Sequence, residues 1–121
     1  MNTPSSAASE LPSSEISLED FKRLNLRVGV VVSAEPHPNA DRLLVLRVDV
    51  GEAAPRQVVA GIKGSYQTEE LVGKHVVVVT NLKTATLRGI ESQGMVLAAS
   101  DEASIVLVSL ERPIRPGSIV K

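Results

Sequence analysis

The chain has no cysteine and no tryptophan, and Phe21 and Tyr66 are its only aromatic residues. Without cysteine it has no disulfide, no thiol nucleophile and no cysteine-ligated zinc. Two aromatic rings are too few to stack a row of bases, which excludes the usual mode of binding single-stranded nucleic acids. Long apolar runs are also missing. The run at 76–79 falls far short of the roughly 18 residues that a membrane-spanning helix needs.

Basic residues do not outnumber acidic ones, since the 121 residues include 13 basic and 14 acidic side chains. Two of the acidic residues, Glu10 and Glu15, precede position 18, so the remainder holds 13 basic and 12 acidic side chains. The strongly basic tail of many nucleic-acid-binding proteins is therefore absent. If the protein binds a polyanion, its basic residues must be sorted onto one face.

The motifs of catalytic and metal-binding sites are absent as well. His37 and His75 lie far apart in the sequence and outside any motif with the spacing of metal ligands. We expect His37 to be a polar loop residue and His75 to be an edge or surface residue. Segment 89–94 is not a nucleophile elbow, because Ile90 stands where that motif needs glycine. Segment 73–75 lacks the preceding glycine of a phosphate loop. The sequence thus predicts no enzyme, no cofactor and no metal site.

Residues 1–15 are rich in serine and proline and have almost nothing to bury. We expect a flexible leader there and a single domain at 16–121. The leader lacks the basic residues and the apolar core of a signal peptide, which predicts a cytoplasmic protein. Ser17 is expected to cap a short helix over 18–24.

Strand patterns dominate the rest of the chain. Segment 27–34 is rich in β-branched residues, and apolar residues stand at every second position over 44–50, between Val45, Arg47 and Asp49. Further segments are predicted as strands at 57–60, 75–80, 95–99, 105–107 and 118–120, and as a polar loop at 81–93. The valine-rich segment 75–80 is typical of a strand buried on both faces. Thr68 is expected to cap a short helix over 69–72.

The order of these elements predicts the fold. Three strands, one small helix and two more strands are the order of an all-β, five-stranded Greek-key barrel of the OB type. An N-terminal helix and C-terminal extension strands would complete it. A β-sandwich is the alternative, but it does not explain the helix.

Segment 81–99, NLKTATLRGIESQGMVLAA, is the most informative in the chain. It resembles the signature of the tRNA-binding OB-domain family, N-L-[KA]-P-x-K-x-x-G-x-x-S-x-[GA]-M. The positions that fit are, in order, Asn81, Leu82, Lys83, Gly89, Ser92, Gly94 and Met95. The family includes free-standing structure-specific tRNA-binding proteins and the C-terminal domain or beta subunit of methionyl-tRNA synthetases.

Three more stretches are similar to family motifs, namely 26–29 (LRVG), 37–43 (HPNADRL) and 59–62 (VAGI). The resemblance covers about residues 18–121. Three positions depart from the pattern. Thr84 replaces the usual proline, Thr86 replaces a basic residue although Arg88 follows it closely, and Asn25 replaces an aspartate.

The resemblance implies a non-catalytic protein that binds tRNA by its shape and acts in trans, including as a methionyl-tRNA synthetase beta subunit. The RNA contacts it suggests are Arg27, Lys63, Lys74, Asn81, Lys83, Arg88, Ser92 and Met95. Among these, Lys83 and Arg88 are the strongest candidates because they flank one loop. Asn81 and Ser92 have an alternative role as turn residues, and Met95 has one in packing.

Two further expectations concern partners. Free-standing family members pair, which implies a homodimer, and the apolar run at 105–108 needs cover on both faces. The helix over 18–24 is the alternative cover within the monomer. An export-chaperone branch shares the fold, so peptide binding is the second functional hypothesis. That branch departs from the N-L-K and S-x-G-M elements, which this chain retains.

Overall fold

A computed structural model describes residues 14–121, so the predicted leader lies outside the described residues except for Ser14 and Glu15. The described part contains two short helices and ten strands. They are α1 (Leu18–Lys22), β1 (Leu26–Pro36), β2 (Leu44–Asp49), β3 (Arg56–Ala60), α2 (Thr68–Leu71), β4 (His75–Val79), β5 (Ala85–Leu87), β6 (Ile90–Ser92), β7 (Met95–Val96), β8 (Ala98–Ser100), β9 (Ile105–Leu107) and β10 (Ile119–Val120).

Five strands form the main sheet in the order β3-β2-β1-β4-β7, and every neighbouring pair is antiparallel. The short β10 pairs with the beginning of β1, where Leu26 lies opposite Val120. Helix α2 lies between β3 and β4 in the chain. The predicted barrel of the OB type, with its helix after the third strand, is confirmed.

The sheet is closed into a barrel by side chains between β3 and the segment around β6. The backbone N–H of Val59 donates to Ser92 Oγ (2.9 Å), and that of Gln57 donates to Gln93 Oε1 (2.9 Å). The N–H of Gln93 donates back to the Gln57 carbonyl oxygen (2.7 Å). These bonds satisfy the backbone of β3 along what would otherwise be an open sheet edge.

The core lies inside the barrel, where Leu46, Val58, Val76 and Val78 have no exposed surface. The alternation of strand side chains turns two other β4 valines, Val77 and Val79, to the outside. They are covered there by partly buried residues, namely Leu97, Leu110 and Val120. The prediction that β4 is buried on both faces is therefore confirmed.

The segment expected to be a polar loop contains a β-hairpin instead. Strands β5 and β6 pair with Leu87 opposite Ile90, so Arg88 and Gly89 form a two-residue turn. Both have positive φ, 53° and 91°, as a type I′ turn requires. Arginine is an uncommon residue at that position, where asparagine and aspartate dominate, so the sequence does not indicate this turn.

The helices differ from the predictions in detail. Ser17 caps α1 as expected, since its Oγ accepts from the Asp20 N–H (3.0 Å), but the helix ends at Lys22. The N-cap of α2 is Gln67, one residue before the predicted Thr68. Its N–H donates to Glu70 Oε1 (2.7 Å), which is one half of a capping box.

Helix α1 does not cover the outer face of the apolar run at 105–108. None of its residues is buried. Within the run, Leu107 is buried, but Val106 and Val108 are exposed on the opposite face of the strand. The apolar run therefore keeps one uncovered face in the isolated chain.

Gly94 provides a test of the barrel's closure. Its φ is +149°, and an added Cβ would lie 2.9 Å from the Val79 carbonyl oxygen. We expect Gly94→Ala to lower the free energy of unfolding by about 1–3 kcal/mol. The measurement is urea denaturation followed by far-ultraviolet circular dichroism.

Gly64→Ala is the matched control. Among residues 14–121 no atom outside its immediate chain neighbours lies within 4 Å of a Cβ added at Gly64. We expect a change below about 0.5 kcal/mol there. Equal midpoints for the two variants would contradict this description of the closure.

Candidate nucleic-acid interface

The β5–β6 hairpin is anchored at its tip by His37. Nδ1 of the imidazole accepts the Asn39 N–H (2.9 Å), so the proton lies on Nε2, which donates to the Leu87 carbonyl oxygen (2.9 Å). His37 is 4% exposed. It is thus a buried anchor between two loops, and not the ordinary loop residue that we expected.

Three basic residues gather near this tip. Arg88 Nη2 donates to the Asn39 carbonyl oxygen (3.2 Å), which holds the arginine against the loop at 37–43. Arg42 belongs to this loop, and its carbonyl oxygen accepts the Lys63 N–H (3.4 Å), which places Lys63 beside the loop. Arg42 was not among the predicted contacts, although the HPNADRL motif contains it.

Asn81 and Arg27 lie near the opposite end of the hairpin, where they hold backbone. Asn81 accepts the Asn25 N–H at Oδ1 (2.9 Å) and donates from Nδ2 to the Arg23 carbonyl oxygen. Arg27 donates from Nε to Asn25 Oδ1 (2.7 Å) and from Nη1 to the Gly117 carbonyl oxygen (2.9 Å). Both polar atoms of the Asn81 amide are therefore bonded within the chain, whereas Nη2 of Arg27 can still donate to another partner.

Lys83 is exposed, and within residues 14–121 its side chain makes no hydrogen bond or ion pair. Nearby, Arg56 binds both carboxylate oxygens of Glu52, at 2.9 and 2.8 Å. The hydrogen bond from Arg56 lowers the pKa of Glu52, so this carboxylate stays charged and paired at neutral pH. It therefore does little to offset the charge of Lys83.

The other predicted contacts lie in different environments. Ser92 is 4% exposed, and its hydroxyl accepts from Val59 and donates to the Gly94 carbonyl oxygen. It supports the hairpin from beneath and contributes almost no exposed surface. Met95 is 47% exposed on β7. Lys74 precedes β4 and thus lies at the end of that strand opposite to Lys83.

Five basic residues lie on the hairpin or on segments beside it, and we call this set the basic strip: Arg27, Lys83, Arg88, Lys63 and Arg42. Lys83 and Arg88 are at most about 17 Å apart along extended backbone. Two acidic residues lie beside it, Glu91 opposite Thr86 in the hairpin and the exposed Asp41 next to Arg42. The strip can contact several phosphates without base stacking.

Other site types have no support among the described residues. In residues 14–121 no three histidine, cysteine, aspartate or glutamate side chains are grouped to hold a metal ion. The helices of this part of the chain are all too short and too polar to span a bilayer.

Comparison with known proteins agrees with these observations. The family model described as "Putative tRNA binding domain" matches residues 26–119. The methionine–tRNA ligase of Methanosarcina acetivorans is 49% identical over 108 residues, which cover 88% of this chain and 15% of the ligase. The ligase of Methanococcus aeolicus is 50% identical over 105 residues, with 87% and 15% covered. The chain thus spans about 15% of the length of these curated relatives.

Two solved structures share the fold over nearly their whole length. A MetRS-related protein from Pyrococcus horikoshii has a TM-score of 0.82 and 32% identity, with 88% of this chain and 98% of that chain covered. The chaperone CsaA from Bacillus anthracis has a TM-score of 0.80 and 31% identity, with 88% and 99% covered. Since the family model spans most of the chain and the hairpin carries its motif, this chain belongs to the tRNA-binding domain family.

Proposed function

We propose that this chain is a non-catalytic tRNA-binding protein that acts in trans, as a partner of methionyl-tRNA synthetase in the cytoplasm. The observation that carries the proposal is the basic strip, a group of cations on and beside the hairpin in a chain of nearly balanced charge. Action in trans is supported by the MetRS-related protein of Pyrococcus horikoshii, whose chain is matched over 98% of its length.

The basic strip is suited to recognising the shape of folded RNA and not its base sequence. Double-stranded RNA presents phosphates and 2′-hydroxyl groups, which proteins contact without reading bases. Lys83 and Arg88 supply donors for phosphates, and the exposed strand β5 between them is short and uncharged. Tyr66, one of the two aromatic residues, is directed inward, since its hydroxyl oxygen accepts the Leu107 N–H (2.9 Å). Base stacking therefore contributes little.

The direct test is titration of tRNA against the Lys83→Ala and Arg88→Ala variants at several salt concentrations. Each variant loses one phosphate contact, so we expect weaker binding and a slope of log affinity against log salt that is smaller by about 0.7–0.9. Arg112→Ala is the control, because Arg112 is exposed, pairs with its neighbour Glu111 and lies outside the strip. Affinities and slopes equal to those of the control would remove the hairpin from the site.

Peptide binding is the second candidate function. It is favoured by the similarity to the chaperone CsaA and by three exposed apolar side chains at the hairpin, Leu82, Leu87 and Met95. Capture of an unfolded peptide that is insensitive to salt and unchanged in Lys83→Ala would support this function over tRNA binding.

We also propose that the protein is a homodimer. Its outer apolar face consists of Leu97, Val108, Leu110 and Val120, which lie outside the barrel over β4 and β1. Val108 is 39% exposed. A contiguous apolar patch of this kind marks an interaction surface, and a two-fold interface is the commonest way to bury one.

Light scattering at micromolar concentration tests the dimer. We expect the mass of two chains for the unaltered protein and of one chain for Val108→Glu, because the new carboxylate would be desolvated at the interface. Val32→Glu is the control, since Val32 is also exposed but lies farther along β1. A single-chain mass for the unaltered protein would refute the dimer.

A further inference from the structure

An open cavity of about 630 Å³ lies between the beginning of β1, the segment after β2 and the turn at 115–118. Its charged lining residues are Arg27, Glu52, Arg56 and Arg115. The sequence motifs do not include Arg115, which the fold brings to the cavity from the C-terminal turn.

Two of these charges cancel. Arg56 holds Glu52 through two parallel hydrogen bonds, and its Nη1 donates to the carbonyl oxygens of Thr80 (2.7 Å) and Gln93 (3.0 Å). The nearby Asp49 carboxylate accepts the Gly51 N–H (2.8 Å) and adds one negative charge beside the cavity. Arg56 and Glu52 therefore form a wall whose donors and acceptors are already satisfied.

The charge of Arg27 adds to the Arg56 hydrogen bond in lowering the pKa of Glu52, but Arg27 and Arg115 both keep free N–H donors within the described part of the chain. Arg27 is fixed by its bonds to Asn25 and Gly117, whereas its Nη2 has no partner among residues 14–121. Arg115 is exposed, and its side chain makes no hydrogen bond or ion pair within the described residues. The Arg115 carbonyl oxygen accepts from Ser118 Oγ (2.7 Å), which fixes the turn that carries it.

We propose that this cavity binds a phosphate group of RNA between Arg27 and Arg115. This inference rests on the proposed function for its source of phosphate, and it adds a site outside the hairpin. A guanidinium is suited to phosphate because it offers parallel N–H donors, and one that is fixed beforehand loses little entropy on binding. Charge-assisted bonds of this kind are among the stronger hydrogen bonds in proteins.

The position of the cavity extends the basic strip beyond the hairpin. Its lining includes Thr80 and Asn81, which lead directly to Lys83. An RNA backbone that contacts Lys83 can thus continue to Arg27 and Arg115. The cavity makes the contact surface longer than the signature motif alone indicates.

Arg115→Ala tests the site in the full chain, with Arg112→Ala as the control for loss of one exposed charge. We expect Arg115→Ala to weaken tRNA binding and to reduce the salt slope by about 0.7–0.9, and Arg112→Ala to do neither. Titration with inorganic phosphate should shift the amide resonances of Gly51, Gly117 and Ser118, and this shift should shrink in Arg115→Ala.

The outcomes separate the two proposals. If the unaltered protein does not bind tRNA but phosphate still shifts these resonances, the proposed function fails and the cavity remains a phosphate site. If tRNA binds while Arg115→Ala matches the control and phosphate shifts nothing, the cavity proposal is overturned.

Comparison of tRNA with and without its 5′-phosphate identifies the source of the group. If Arg115→Ala and the unaltered protein differ in affinity for intact tRNA but not for tRNA that lacks its 5′-phosphate, Arg115 contacts the terminal phosphate. If the two proteins still differ in affinity for tRNA that lacks its 5′-phosphate, Arg115 contacts a backbone phosphate.

Discussion

The hydrogen bond from the Val59 amide to the Ser92 hydroxyl is the contact on which the arrangement of the interface depends. Ser92 ends β6 and lies opposite Ala85 in the hairpin, so fixing Ser92 against β3 also fixes the hairpin. Because the hydroxyl also donates to the Gly94 carbonyl oxygen, it satisfies one buried and one partly buried backbone group. Losing such a partner leaves a buried amide unsatisfied, which costs about 1–3 kcal/mol.

The hairpin in turn determines where charge is placed. Its tip is held by His37 and carries Arg88, and the chain leading to its base carries Lys83. Because Glu52 is paired with Arg56, its negative charge does little to offset that of Lys83 near the base of the hairpin. A chain of net charge −1 can therefore present a cationic surface, because the fold separates its charges and does not need an excess of basic residues.

Much of the fold could be predicted because it depends on local pattern. The alternation over 44–50 and the valines of β4 specify which faces are buried, and both strands formed as expected. The hairpin turn could not be predicted because Arg88 occupies a left-handed conformation that the surrounding structure imposes. Such a residue gives no turn signal in the sequence.

The candidate site was predictable only in part. The motif located the hairpin, but it did not distinguish side chains that face solvent from those that hold the barrel closed. Ser92 and Asn81 have internal partners that are distant in the sequence. Arg42 lies within the HPNADRL motif, but the motif alone does not show that the fold brings it beside Lys63. Arg115 reaches the cavity through tertiary packing, which no local pattern indicates.

Native-state hydrogen exchange at the Val59 amide, compared between Ser92→Ala and the unaltered protein, tests the central claim most directly. The account predicts exchange faster by about 5- to 150-fold at Val59, corresponding to the loss of about 1–3 kcal/mol, with faster exchange in the hairpin as well. Unchanged exchange at Val59 and in the hairpin would show that the Ser92 hydroxyl does not hold this interface in place.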